Sequence, residues 1–114
     1  MSKITILLTL LCVLCISLGQ ILFKKAASSF PDAITWQSVI FNGWLIASLA
    51  LYGITTLGWV WILRNAPLHL AYPFMGLAFL IVPILAWLLL NEPIHWRTFA
   101  GGLLIIAGVV LTSL

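Results

Sequence analysis

Two uncharged apolar runs, residues 70–90 and 99–111, constrain this chain more than any other feature of its sequence. A helix rises about 1.5 Å per residue, so the first run is long enough to span a hydrocarbon core of roughly 30 Å. The polar joint between the runs, residues 91–97, is too short to link two domains. The runs are therefore predicted to form an antiparallel helical hairpin in a membrane.

Composition extends this prediction to the whole chain. Of its 114 residues, 64% are hydrophobic and 6% are charged, whereas a soluble domain carries roughly 25% charged residues. The apolar runs are continuous and do not alternate with polar residues, which indicates transmembrane helices rather than a β-barrel. The net charge of +3 comes from basic residues at predicted helix ends, where they anchor to headgroups, so no nucleic acid partner is expected.

The sequence predicts one all-α domain over residues 1–114, with four transmembrane helices at about 4–23, 41–63, 70–90 and 97–113. The first apolar run is too long for a signal peptide, and Lys24-Lys25 follows it instead of a cleavage site. Residues 26–37 are predicted to form a loop, because Pro31 breaks a helix and Ser28-Ser29 favours a turn. The second helix begins near Val39 or Gly43.

Membrane orientation is weakly encoded. Lys3 and Arg64 lie on one predicted side, whereas Lys24, Lys25 and Arg97 lie on the other. Two basic residues against three give almost no bias under the positive-inside rule. Either a partner or the α-amino group sets the orientation, or both orientations occur and form an antiparallel dimer.

Polar and aromatic side chains recur at helical spacing on three predicted spans. The sets are Ser17, Gln20 and Lys24; then Ser48, Tyr52, Thr55 and Trp59; then Tyr72, Gly76, Phe79 and Pro83. Residues three, four and seven apart share one face of a helix, so these faces can turn toward a common cavity. For the small hydroxyl residues, ordinary packing between helices is the favoured alternative.

Four polar positions are interpreted singly. Gln20 has an amide to satisfy inside the span, which favours a cavity position. Lys24 either extends to the headgroups or meets an anionic headgroup at the mouth of the cavity. Glu92 is expected to interact with the positive end of the fourth helix. His69 and His95 lie in connections and are expected to be interfacial.

The sequence contains no motif for enzyme chemistry. A catalytic triad, an HExxH motif, a glycine-rich phosphate loop and a pair of carboxylates in a span are all missing. Cys12 and Cys15 lie inside the first apolar run and are interpreted as packing residues. We therefore expect no enzyme activity, no cofactor and no metal.

The fourth predicted helix carries the signal for assembly. Gly101 and Gly108 lie seven residues apart, which places two small residues on one face where backbones can approach closely. Four helices alone are also too thin to enclose a polar substrate. Both observations favour a dimeric bundle joined through this helix, although the glycines could equally pack against the chain's own helices.

Four segments resemble EamA-like members of the drug/metabolite transporter superfamily. They are SLGQILFKKA at residues 17–26, LAYP at 70–73, NEP at 91–93 and GGLLIIAGV at 101–109. The length and the four predicted spans are similar to the half-sized members, which include small multidrug resistance exporters and the subunits of the aminoarabinose–undecaprenyl phosphate flippase. The resemblance implies that Tyr72 and the face of the first helix line a transport path, and that the fourth helix dimerises.

Two departures separate the chain from the multidrug exporters. Those exporters carry a membrane-embedded Glu three residues before the glycine of the first-helix motif, and here Ile16 stands at that place. They also carry a Trp three residues after the third-helix Tyr, where this chain has Met75. The pattern is closer to the flippase subunits, which share the Gly-Gln and Ala-Tyr-Pro segments.

The resulting hypothesis is a multi-pass subunit of the bacterial inner membrane that translocates a polyprenyl-phosphate-linked sugar or a related anionic lipid. Its expected substrate-binding residues are Gln20, Lys24, Tyr52, Trp59, Arg64 and Tyr72. The expected partners are the lipid and a second copy of the chain or a similar four-span protein. The alternatives are a small multidrug-type exporter, which would need Glu92 or Asp32 as its carboxylate, and an accessory subunit of a heterodimeric transporter.

Overall fold

The computed structural model describes residues 2–113, and this part of the chain is helical without strands. The elements are α1 (Lys3–Ser29), α2 (Trp36–Ile40), α3 (Gly43–Asn65), α4 (Leu68–Ala71), a 3₁₀ helix η1 (Tyr72–Leu77), α5 (Ala78–Leu90) and α6 (Trp96–Ser113). The all-α prediction is confirmed. Residues 1 and 114 of the predicted domain lie outside the described residues.

Three segments are long and apolar enough to cross a membrane, namely Lys3–Ser29, Gly43–Asn65 and Leu68–Leu90. A shorter apolar helix covers Trp96–Thr112. The chain is therefore a multi-pass membrane protein.

Helix α1 is longer than predicted. It starts at an N-cap in which the Ser2 hydroxyl accepts the N–H of Thr5 at 3.2 Å. It continues past Phe23 to Ser29, so the prediction that the loop begins at residue 26 is wrong. Ala26 and Ala27 favour helix, and the chain turns extended only at Phe30, the residue before Pro31, where proline disfavours the helical conformation.

The connection between α1 and α3 contains a short helix, α2, whose first two residues, Trp36 and Gln37, were predicted to lie in the loop. Thr35 and Ser38 form a capping box, in which each side chain receives the other residue's backbone N–H, at 3.2 and 3.0 Å. These two reciprocal hydrogen bonds stabilise the short helix α2. The signal was present in the sequence as two hydroxyl residues three positions apart.

The third apolar run is not one regular helix. Its first part, α4, passes into the 3₁₀ helix η1 at Tyr72, and α5 resumes at Ala78. Pro73 has no N–H to donate to the preceding turn, so the α-helical hydrogen-bond pattern is interrupted there. The run ends at Asn91, whose left-handed backbone (φ 55°) stops α5.

Helix α1 lies at the centre of the molecule. It packs against α3 on one side and α5 on the other, and α6 packs against η1 and α5. The Cα atoms extend over 49 × 36 × 18 Å, so the thin dimension is less than two helix diameters. Large apolar side chains cover the outer faces, among them Leu7, Ile54, Leu57 and Leu104, as expected of a surface that meets lipid.

The interface between the helices is narrow and contains small hydroxyl residues. Thr9, Ser17 and Ser48 are fully buried. Each hydroxyl is satisfied within its own helix, as when Ser17 donates to the carbonyl of Val13 at 2.8 Å. Thr55 does the same with Leu51. These residues allow close helix packing, and their hydroxyls bond to backbone carbonyls of their own helices.

Candidate functional site

The face of α1 that carries Gln20 opens into a cleft beside α5. Ile16 and Gln20 line it from α1, and Phe79 and Pro83 are among the residues that line it from α5. The cleft has a volume of about 360 Å³. Gln20 is exposed there, so an amide with two donors and one acceptor faces a cleft that is otherwise apolar. The structure thus brings together two of the faces identified in the sequence.

Tyr52 lies on the other flank of the same α1 face. Its ring is 5.9 Å from that of Phe23, with an angle of 59° between the planes. A Cβ atom at Gly19 would lie 3.8 Å from Cδ2 of Tyr52, an ordinary van der Waals distance, so the Tyr52 ring packs beside Gly19. Since Phe23 is one turn from Gln20, Tyr52 and Gln20 border the same side of α1. Trp59 lies two turns farther along α3 and is half-buried.

Tyr72 lines a second cleft, between η1 and α6, with a volume of about 430 Å³. Phe79 lines this cleft as well as the one at Gln20. The two clefts therefore adjoin at Phe79. Gly108 of α6 also lines the Tyr72 cleft.

Lys24 lies at the end of the Gln20 face, in a cavity formed where α1, α3 and α5 meet. The cavity has a volume of about 360 Å³ and is lined by Lys24, Lys25, Ser28, Ser29, Trp44, Leu90 and Glu92. We call it the lysine cavity. The Lys25 ammonium lies 4.6 Å from the centroid of the Trp44 ring. This cation–π contact holds the Lys25 ammonium, one of the two positive charges of the lysine cavity, in place.

Asn42 ties two walls of the lysine cavity together. Its carboxamide oxygen accepts the N–H of Leu45 at 3.1 Å and caps α3. Its amide group donates to the Ser29 hydroxyl at 2.7 Å and to the Ala26 carbonyl at 3.4 Å. The start of α3 is thereby fixed to the last turn of α1. The bonds from Asn42 to Ala26 and Ser29 are not predicted from the sequence, because residues 26–37 are expected to form a loop.

Glu92 lines the lysine cavity. Helix α6 begins at Trp96, four residues after Glu92, so the expected interaction of the Glu92 carboxylate with the positive end of that helix stays a prediction. Asn91 reverses the chain in the left-handed conformation, and the N–H of Glu92 returns to the Ala86 carbonyl at 3.2 Å. This turn, typical of helix ends, brings Glu92 to the lysine cavity.

Arg64 lies far from the lysine cavity. It occupies the last turn of α3, whereas Trp44 of the lysine cavity lies in the first turn. Twenty residues of helix separate them, about 30 Å. The two cations proposed to meet a phosphate, Lys24 and Arg64, therefore lie at opposite ends of the bundle.

The glycines divide into two groups. A Cβ atom at Gly76 would lie 2.5 Å from Cγ2 of Val109, and one at Gly102 would lie 2.9 Å from Cδ1 of Leu80. These two glycines allow α6 to pack within the chain. Gly101 and Gly108 have no atom within 4 Å of the corresponding position, so their faces are open to another helix.

Known proteins are similar to this chain over most of its length. The profile of the EamA-like transporter family matches residues 34–114. The chain is 37% identical over 93 residues to a protein of Enterobacter sp. (strain 638) named "Probable 4-amino-4-deoxy-L-arabinose-phosphoundecaprenol flippase subunit ArnE", covering 82% of this chain and 81% of the relative. Proteins of the same name from Aeromonas salmonicida (strain A449) and Pseudomonas fluorescens (strain Pf0-1) are 36% identical over 108 residues and 33% identical over 105 residues.

The shares covered are similar on both sides of these two alignments, 93% of each chain for Aeromonas and 91% and 92% for Pseudomonas. The resemblance found in the sequence is confirmed. No solved structure matches the chain.

Proposed function

The chain belongs to the EamA-like transporter family, and from this membership we propose that it is one subunit of a flippase in the bacterial inner membrane. The substrate is a polyprenyl-phosphate-linked sugar. The relatives named above, which are flippase subunits for such a lipid by name, support the assignment.

One observation carries the proposal, namely the polar track along α1. Lys24 lines the lysine cavity at one end of the bundle, and Gln20 lies one helical turn from it in an open cleft. Residues four apart share a helix face, so a polar headgroup passes from a positive site to a hydrogen-bonding site without leaving α1. Apolar side chains surround the cleft, and the polyprenyl tail remains in lipid beside them.

The remaining site residues extend the track. Tyr52 and Trp59 flank it from α3, and Tyr72 continues it beyond Phe79. The phosphate is held by Lys24 at one end, and Arg64 receives it at the other. The chain moves a headgroup and performs no chemistry on it, so we propose no enzyme activity.

A second four-span chain completes the path. With a thin dimension of 18 Å, one chain leaves the track open on one side. We propose that α6 is the fourth span, that Gly101 and Gly108 lie at the subunit interface, and that the partner is a second copy or a similar four-span protein. The open space at both glycines and the word "subunit" in the relatives' names support this.

The test is translocation of a short-chain polyprenyl phosphate sugar in proteoliposomes containing the chain with its partner. In Gln20→Leu, the headgroup loses the Gln20 amide, which takes the place of water as its hydrogen-bond partner inside the cleft. The rate of translocation should therefore fall about tenfold. The matched control is Gln37→Leu, which changes an exposed glutamine of α2.

Both variants should keep the helical circular dichroism of the wild type. An unchanged rate in Gln20→Leu, or an equal loss in Gln37→Leu, would remove the basis for placing the path along α1.

A further inference from the structure

We propose that the connection between α1 and α3 is a membrane-surface anchor. The apolar face of α2 inserts into the boundary between the lipid headgroups and the acyl chains. The partner is the bilayer itself, and the contact is apolar rather than electrostatic. Such an anchor goes beyond the proposed transport function, because it needs no substrate.

The connection exposes large apolar side chains that the rest of the described chain leaves uncovered. Ile34, Trp36, Ile40 and Phe41 are 63%, 83%, 60% and 79% exposed, and none of the five residues of α2 is buried. Trp36 and Ile40 lie four residues apart and share one face of α2, and Phe41 follows at its end. Soluble monomers rarely leave a group of large apolar side chains in water, so this surface requires an apolar cover.

The adjoining spans place the connection at the bilayer surface. After Lys3, the next charged residue of α1 is Lys24. Residues 4–23 between them are about 30 Å long, which matches the hydrocarbon core. The last turn of α1 therefore extends into the headgroup region. Helix α3 starts back across the membrane at Gly43, so the connection begins and ends at this level.

Asn42 keeps the connection close to that surface. Its amide group donates to the Ser29 hydroxyl at 2.7 Å and to the Ala26 carbonyl at 3.4 Å. The start of α3 is therefore bonded to the last turn of α1, and α2 ends two residues before this bond. Helix α2 is thereby held beside the headgroups instead of extending into water.

The exposed apolar surface continues along the chain onto α3. Phe41 is followed by Trp44, Ile46 and Leu49, which are all exposed on a membrane-spanning helix. Tryptophan rings are enriched where headgroups meet acyl chains, and a helix in that plane buries its apolar face about 5–10 Å into the boundary. The same lipid that surrounds α3 therefore covers α2 as well, and no protein partner is needed.

The charges of the connection exclude attraction to anionic lipid as the cause. Between Lys25 and Arg64 the chain has one charged residue, Asp32. An acidic residue is repelled by the negative surface of an anionic bilayer. The contact is therefore with the acyl boundary, and it should be as strong in a neutral bilayer as in an anionic one.

The bond of Asn42 connects this contact to the lysine cavity. The Ser29 hydroxyl that accepts the bond also belongs to a residue lining that cavity. An inserted α2 therefore fixes the level of the cavity relative to the headgroups.

The experiment measures the depth of α2 in the full chain by electron paramagnetic resonance in phosphatidylcholine nanodiscs. Cys12→Ala and Cys15→Ala remove the native thiols, and a nitroxide label is then attached through Ile40→Cys, Ile54→Cys or Asp32→Cys. Molecular oxygen concentrates in lipid and nickel ethylenediaminediacetate in water, so the ratio of their relaxation effects reports depth. The ratio at position 40 should exceed that at position 32 about threefold and stay below that at position 54, within α3.

Trp36→Ser removes the largest apolar side chain of the α2 face and should lower the ratio at position 40 to that at position 32. Trp96→Ser is the matched control, since it removes a tryptophan of similar exposure (73% against 83%) at the start of α6. It should leave the ratio unchanged. Addition of phosphatidylglycerol to the nanodiscs should leave it unchanged as well.

Equal ratios at positions 40 and 32 without Trp36→Ser would place α2 in water and overturn the anchor. A label at position 40 that neither reagent reaches would mean that protein, such as a second copy of the chain, covers α2, and would overturn the choice of lipid. An equal fall in Trp36→Ser and Trp96→Ser, or a ratio that rises only with phosphatidylglycerol, would overturn the apolar basis of the contact. None of these measurements uses a lipid-linked sugar, so each outcome leaves the flippase assignment standing.

Discussion

The two ends of the helix bundle are built by different means. At the end with the lysine cavity, side chains connect elements that are distant in sequence, as Asn42 does with Ser29 and Lys25 with Trp44. At the end with Arg64, side-chain bonds are local, as when Asn65 donates to the carbonyl of Trp61 in its own helix. The lysine end is therefore held together by bonds between helices, whereas the bond of Asn65 at the Arg64 end lies within one helix.

This difference suggests how the ends divide the work of transport. Two cations beside one cavity, of which Lys25 is held by Trp44, can bind a phosphate from two sides. Arg64, a single exposed cation in the last turn of α3, attracts a phosphate without enclosing it. In our proposal, the lysine end selects the headgroup and the Arg64 end releases it.

The largest effect should come from removing charge at the lysine end. In Lys24→Gln/Lys25→Gln, the phosphate loses both charge-assisted bonds, so binding of a polyprenyl phosphate sugar should weaken about a hundredfold. Arg64→Gln should weaken it about threefold, because its site is open to water and its charge is screened. The measurement is the dissociation constant in nanodiscs at constant ionic strength.

The double lysine variant lowers the net charge by two and Arg64→Gln lowers it by one, so Lys24→Gln is the matched single-charge control for Arg64→Gln. A greater loss from Arg64→Gln than from Lys24→Gln would reverse the proposed division between the ends. Equal losses from these two single variants would mean that net charge, rather than the lysine cavity, attracts the lipid.

The contrast between the ends also explains what the sequence could predict. Hydrophobic length located the apolar runs, because a span of lipid requires about 20 apolar residues whatever its neighbours are. Helical spacing placed Gln20 and Lys24 on one face, since that depends on α1 alone. In the structure, Gln20 lines the cleft beside α5 and Lys24 lines the lysine cavity.

Features that depend on two elements could not be predicted in this way. Asn42 bonds to residues 13 and 16 positions earlier, and no local pattern encodes that pairing. Glu92 is expected near α6 because it precedes that helix in sequence, whereas its place in the lysine cavity depends on the left-handed turn at Asn91. Gly76 and Gly102, which hold α6 within the chain, were indistinguishable by type from Gly101 and Gly108.

A smaller effect should follow when the tether at the lysine end is removed. Asn42→Ala deletes the N-cap of α3 and both bonds to α1, and should lower the free energy of unfolding by about 2 kcal/mol. Asn65→Ala is the matched variant at the Arg64 end. It deletes one bond within its own helix and should lower the stability by no more than about 0.5 kcal/mol.

Unfolding in mixed micelles, followed by circular dichroism, measures both values. Equal losses from the two alanine variants would show that the long-range bonds of Asn42 add nothing beyond local capping, and the ends would then not differ in construction.

The smallest effect should come from the cation–π contact. Trp44→Leu keeps an apolar side chain beside Lys25 and removes the ring that lies 4.6 Å from its ammonium group. Such a contact contributes about 0.5–1 kcal/mol at an exposed site, so lipid binding should weaken about threefold.

The matched variant is Trp61→Leu, which removes a ring of similar exposure (51% against 44% for Trp44) one turn before Arg64. Because no lysine depends on that ring in our proposal, the dissociation constant should stay within its error. If Trp44→Leu also leaves the dissociation constant unchanged, Lys25 does not need to be held in place, and Lys24 alone provides the selectivity of the lysine end.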